Sequence, residues 1–322
     1  MSVALLAVFV TAWVNPSFGL EGGLLVPGKL SFVAVFVIFL IQGWKLNLGR
    51  LKEAWVDLRI LFFLHSFIFV VPGLMVLGIR EIGLVDPIWI SGLFFLAILP
   101  TTISSCVVYT RMAGGGADEA LGHATFSNLL GMLWVPLVVF WGAFGFFDSR
   151  GAEDGLSVSF ELLPDFLLMV FLPILIGWWG KNKLPRGFLP ENASWLEEIP
   201  VGCILLLAYF SFCSLFAEFG NELFGPSTGI LAAVVLVLLL VVTALAWALG
   251  GLVSHSRKAR VTFFFCGSQK SLALGLPLAQ MLFVFEENSA GLLVLPLALF
   301  HFGQLFLGAF LIGPLSRWTN LR

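Results

Sequence analysis

The sequence predicts an all-α membrane protein with ten transmembrane helices, arranged as two five-helix repeats of opposite orientation. Three observations predict it. Hydrophobic residues make up 59% of the 322 and charged residues only 11%, with a mean hydropathy of +1.03, whereas soluble domains carry about 25% charge. The basic residues collect in alternate loops. The fourth apolar run of each half is interrupted at mid-depth by polar residues.

Apolar runs that approach or exceed the roughly 20 residues needed to cross a bilayer lie at about 3–20, 29–47, 59–79, 87–110, 120–146, 162–180, 199–217, 227–251, 260–285 and 290–314. They lack the alternation of outer-membrane strands. No Lys or Arg precedes the first run, so it is expected to be a span and not a cleaved signal peptide. Lys45, Arg50, Lys52 and Arg59 separate spans two and three, and Arg111 separates four and five. Lys181, Lys183 and Arg186 separate six and seven. His255, Arg257, Lys258 and Arg260 separate eight and nine, and Arg317 and Arg322 follow span ten. The other loops hold only Lys29, Arg80 and Arg150 as basic residues. The positive-inside rule then places both termini in the cytoplasm, with the plasma (inner) membrane as the expected location. That placement requires an even number of spans. The long polar loop 147–161 divides the spans five and five, and an odd number per half inverts the second half, as in inverted-repeat transporters.

Other features exclude function classes. A net charge of −2 with no basic face gives no nucleic-acid partner. Cys106, Cys203, Cys213 and Cys266 all lie in apolar runs without metal-type spacing and read as small buried hydrophobes. No nucleophile–base pair, Walker loop, dinucleotide fingerprint or H-E-x-x-H appears, so neither an enzyme nor a bound cofactor is expected. The 192–194 sequon falls on the cytoplasmic side. Many of the eleven tryptophans sit near span ends, as interfacial anchors do. The bilayer is an expected partner, and oligomeric state stays open between monomer and homo-oligomer.

The polar interruptions carry the chemistry, because polar groups at membrane depth are costly and mark pathways or binding sites. In span four, Pro100 opposes a continuous helix. Thr101, Thr102, Ser104 and Ser105 supply hydroxyl oxygens to a cation or substrate, or else bond back to their own carbonyls in a kinked helix. In span five, Thr125 and Asn128 share one face, turned either to that break or to helix packing. In span nine, Ser268, Gln269 and Lys270 interrupt hydrocarbon, and no carboxylate lies well inside any span. Lys270 is expected to attract an anionic substrate, carry a proton or take the place of a bound cation. His301 in span ten is either a proton relay or a hydrogen-bonded packing residue. Gln42, His65, Gln280 and Gln304 are the remaining intramembrane polar groups named by this pattern.

The segment from Leu99 to Ser105, the Ala113-Gly114-Gly115 loop, the run from Cys266 to Ala273, and Leu295 to His301 with Gln304 resemble the bile acid:sodium symporter superfamily, in its SBF-like branch. The resemblance runs from about residue 30 to the C-terminus. It implies a panel domain (1–58 and 162–220; spans one, two, six and seven) and a core domain (59–146 and 225–316), in which discontinuous helices four and nine cross. It implies a small organic anion as substrate, bound beside the crossing. It also implies sodium held by Ser104, Ser105, Thr125, Asn128 and Gln269. The chain departs from that pattern at Phe265, where the symporters carry a glutamate. It departs again at Lys270, where they carry an asparagine, and at Cys106, which stands at an asparagine ligand position. These changes shift the local charge by about two units toward positive, several kcal/mol at the effective dielectric of such a site. Lys270 is therefore expected to replace at least one sodium, leaving protons, one residual cation or no ion as the coupling partner. A cation/proton antiporter, or a membrane regulator of ion homeostasis that keeps the fold, are the alternatives.

Overall fold

The computed structural model describes residues 2–20, 25–46, 49, 54–55, 57–140, 163–183, 195–284 and 291–320. The inter-repeat loop 147–161 and the 192–194 sequon lie outside the described residues. Every long element among them is helical. Among the described residues, seven helices are long and apolar enough to cross a membrane, and the chain is an integral membrane protein.

The helices divide into two compact units. The first comprises 1–46, 136–225 and 275–295. Here α1 (Ser2–Val14) leads into a short 3-10 turn, Pro16–Gly19, and lies on α8 (Trp195–Phe219). Phe9 packs edge-on against Phe212 and Phe216, each with centroids 5.1 Å apart. Helix α2 (Pro27–Lys45) opens on a proline, which fits the first turn because no partner exists there for its missing N–H, and closes with Lys45 at its negative end. It packs on α7 (Leu163–Lys183) through glycine at both faces. A Cβ at Gly43 would overlap the Ile174 carbonyl, and one at Gly177 would overlap the Leu40 carbonyl. Such close approach through small residues drives helix association in lipid, where hydrophobic exclusion cannot.

The second unit comprises 47–135, 226–274 and 296–322. Helix α3 (Leu58–Ile82) is capped by Asp57, which accepts from Arg59 N and Ile60 N, and it stops at Gly83 in the left-handed conformation (φ 67°). Next come α4 (Pro87–Ile98), α5 (Ser104–Met112) and α6 (Ala117–Phe140), then α9 (Pro226–Val253), α10 (Arg257–Ser268), α11 (Leu272–Val284) and α12 (Gly291–Asn320). Helices α6, α11 and α12 each have part of their length in either unit, divided at Pro136, Gly275 and Pro296.

The fourth and ninth apolar runs are each two helices, α4 with α5 and α10 with α11, joined by non-helical backbone at 99–103 and 269–271. The first break follows from Pro100, which disfavours helical backbone at the preceding residue; Leu99 is extended (φ −69°, ψ 149°). At the second, Gln269 is extended (φ −104°, ψ 147°), and the Ser271 hydroxyl accepts from Leu274 N at 3.2 Å to start α11.

Gly43→Ala should push α2 and α7 apart at a cost of about 1–3 kcal/mol, the range for overpacking. A lower unfolding temperature in detergent is expected, with Gly229→Ala as control, since nothing lies within 4 Å of a Cβ there. Equal effects of the two substitutions contradict the close packing.

Candidate functional site

The two breaks meet inside the second unit. Ser271 N donates to Pro100 O at 2.8 Å, so unpaired backbone of one break satisfies the other, as buried peptide groups require. The Ser105 hydroxyl donates to Gln269 Oε1 at 2.7 Å. The Cys106 and Cys266 sulfurs lie 3.1 Å apart. Helix α6 supports the first break. Ser127 Oγ accepts from Thr101 N at 3.2 Å, and Asn128 Nδ2 donates to Thr101 O and to Ala124 O, both at 2.8 Å. Gly131 makes room for the Pro100 ring, 2.6 Å from where a Cβ would stand.

Lys270 is fully enclosed, at 1% exposure. Its Nζ donates to Ile68 O at 2.6 Å, Ala97 O at 2.7 Å and Leu99 O at 2.8 Å. Three acceptors match the three N–H bonds of an ammonium. Each carbonyl is free for a local reason. Ile68 O would ordinarily accept from residue 72, but Pro72 has no N–H. Thr101 N, the helical partner of Ala97 O, donates to Ser127 instead. Leu99 caps the end of α4, where carbonyls lack intrahelical donors and the helix dipole favours a cation. Main-chain polarity thus surrounds Lys270 in place of a carboxylate.

Gln304 on α12 holds the same residue by its backbone. Its Oε1 accepts from Lys270 N at 2.7 Å and its Nε2 donates to Lys270 O at 2.9 Å. Gln304 Nε2 also lies 3.0 Å from His301 Nδ1, which links His301 to the break; among the described residues, buried His301 Nε2 has no partner.

The structure therefore brings together Thr101, Ser105, Asn128, Gln269 and Lys270, with His301 one residue removed through Gln304. Of the five oxygen donors expected to share sodium, Ser105 and Gln269 are joined directly. Ser104 is exposed, the Thr125 hydroxyl donates to Leu121 O in its own helix at 2.7 Å, and Asn128 engages carbonyls through its amide nitrogen. Thr102 is buried in the break, and Ser268 ends α10 as a buried residue. Phe265 packs edge-on to Tyr109, centroids 5.8 Å apart, where a carboxylate would be needed for a cation shell. The contributions of Ile68, Ser127 and Gln304 were not read from sequence; Pro72, four residues after Ile68, is the signal that marks the free carbonyl.

The SBF-like CPA transporter family matches residues 1–317. The chain belongs to that family. A putative symporter, YfeH, of Escherichia coli (strain K12) is 29% identical over 296 residues, covering 91% of this chain and 86% of its own. Sodium/bile acid cotransporter 7 of Danio rerio is 27% identical over 331 residues, covering 99% and 94%. An uncharacterized Pseudomonas aeruginosa protein is 31% identical over 297 residues, covering 88% and 84%. The chain is accordingly a transmembrane transporter-family protein of the bile acid:sodium symporter group and not an enzyme.

Lys270→Met should leave three buried carbonyls without donors. Hydrogen bonds to charged groups contribute about 1.5–3 kcal/mol each, so a stability loss of at least about 3 kcal/mol is expected from unfolding in detergent. A variant as stable as the parent contradicts the cage.

Proposed function

We propose that the protein is a secondary transporter of a small organic anion, working by alternating access, in which the Lys270 ammonium takes the place of one coupling cation. The observation that carries this reading is the three-carbonyl cage around Lys270 Nζ. Oxygens freed at a helix break and a helix end are what a dehydrated cation needs, and here a tethered one fills them. The family and the names of its relatives support transport of solute with an ion. The name of the Danio rerio relative supports bile acids as the first solutes to try.

Ten spans in two inverted repeats are supported by adding the two pairs of half-helices and α1 to the seven long helices. A panel of spans one, two, six and seven is supported by the compact unit that contains α1, α2, α7 and α8. The remaining spans, with their breaks crossing, form the core, and the polar groups at the crossing face the solute: Thr101, Thr102, Ser105, Asn128, Gln269 and His301. Both termini lie in the cytoplasm and the protein resides in the plasma (inner) membrane, by the alternation of basic loops.

Uptake of labelled taurocholate and smaller organic anions into proteoliposomes tests the reading. Saturable uptake is expected, depending on sodium no more steeply than first order because Lys270 occupies one cation position. Second-order sodium dependence contradicts the lysine's role. Cation-driven proton movement without organic solute, seen with a pH dye, contradicts anion transport itself.

A further inference from the structure

Within the second unit, α9 ends at Val253, α10 begins at Arg257 and α12 ends at Asn320. These ends carry His255, Arg257, Lys258, Arg260 and Arg317 together with Trp247 and Trp318. Neither the crossing nor the Lys270 cage uses these charges.

Arg260 is held on two sides. Its Cζ lies 3.9 Å from the centre of the Trp247 ring, a cation–π contact, and its Nε donates to Trp247 O at 3.0 Å. One turn further along α9, a Cβ at Gly251 would stand 2.7 Å from Arg260 Cζ and 2.9 Å from its Nη1, so glycine leaves room for the flat group to lie against the helix. The frame continues onto α12. The Trp247 and Trp318 rings meet edge-on, centroids 4.9 Å apart. Arg257 Cζ lies 5.4 Å from the Trp318 centroid, and Arg257 Nη1 donates to Trp318 O at 3.3 Å. Arg257 and Arg260 are three residues apart on one face of α10, where like charges repel.

With Nε committed, the Nη1–Nη2 edge of Arg260 remains. Neither nitrogen has a partner among the described residues, and neither is sealed in the interior. Among the described residues, no carboxylate pairs with Lys258, Arg260 or Arg317. The acidic first turn of α6, with Asp118 and Glu119, meets α10 at Thr262, where Gly116 N donates to Thr262 Oγ1 at 3.1 Å. Two residues are about 200° of helix rotation, so that contact is on the face away from Arg260. A free guanidinium edge offers two parallel N–H bonds to the oxygens of one anionic group, and stacking has already fixed its orientation, which lowers the cost of binding.

Depth selects the anion. Arg260 stands before Ser268 and the break by about 12 Å of helix rise, against roughly 15 Å for half a hydrocarbon core. Leu252, in the last turn of α9, and Phe306 and Phe310 on α12 are exposed, as lipid-facing residues are, and tryptophans gather at headgroup level. Headgroups bring phosphodiesters to this depth, which a soluble peptide or a nucleic acid does not reach. The surrounding cations disfavour the quaternary ammonium of a zwitterionic headgroup.

We propose that Arg257 and Arg260, framed by Trp247 and Trp318, bind the phosphodiester of an anionic phospholipid from the surrounding bilayer, with Lys258 and Arg317 adding positive charge. The site involves no transported solute, so its failure leaves the transport reading standing, and the reverse.

The test is native mass spectrometry of the full chain in detergent with equimolar phosphatidylglycerol and phosphatidylcholine. Preferential retention of phosphatidylglycerol is expected. Arg260→Gln weakens it about ten-fold or more, the loss of one hydrogen bond to a charged group. Lys29→Gln, at an exposed cation of the first unit, leaves it unchanged. Photoactivatable phosphatidylglycerol on the parent chain should label segments 257–260 and 317–318, an answer that stands even if Arg260→Gln does not fold. Equal retention of the two lipids, equal losses in the two variants, labelling confined to other segments, or displacement of the lipid by inorganic phosphate overturns the site.

Discussion

A single ammonium group among three main-chain oxygens is the interaction on which the second unit depends. Lys270 Nζ joins Ile68 in α3 to Ala97 and Leu99 at the end of α4, so one side chain ties an intact helix to a broken one. Without the amine, these carbonyls would be buried with no donor. Without the carbonyls, the amine would be a buried cation with no compensation, which is still more costly. Each justifies the other, and prolines make the exchange available. Pro72 releases Ile68 O and Pro100 ends α4, so two helix-breaking residues in different helices prepare one binding place.

The remainder of the crossing is organised around that point. Gln304 grips Lys270 by both N–H and C=O, as a neighbouring strand would, and so replaces the helical bonds that residue 270 gave up. Ser271 and Pro100 join the breaks through backbone, and Ser127 with Asn128 satisfies Thr101 on its other side. Irregular backbone is tolerated at membrane depth only when it is satisfied in this way or lines a cavity. Both conditions occur within two residues, since Lys270 is sealed while Gln269 lines a small cavity.

Much of this was legible in sequence. Pro100, and the polar run from Ser268 to Ser271 within hydrocarbon, marked both breaks, and the composition marked a helical membrane protein. The identity of the partners was not legible. Ile68 lies 202 residues from Lys270 and contributes only backbone, which leaves no trace in its own side chain. Helical spacing placed Thr125 and Asn128 on one face, yet only Asn128 reaches the break. A threonine hydroxyl has its own helix carbonyl within reach, and Thr125 uses Leu121.

The most direct measurement is a cryo-electron microscopy map of the full chain in a lipid nanodisc in sodium chloride, at a resolution that shows side chains. The account predicts continuous Lys270 density reaching the carbonyls of Ile68, Ala97 and Leu99, with no separate peak among them. A lysine turned out of the cage, with an ion peak held by those three oxygens, would contradict it.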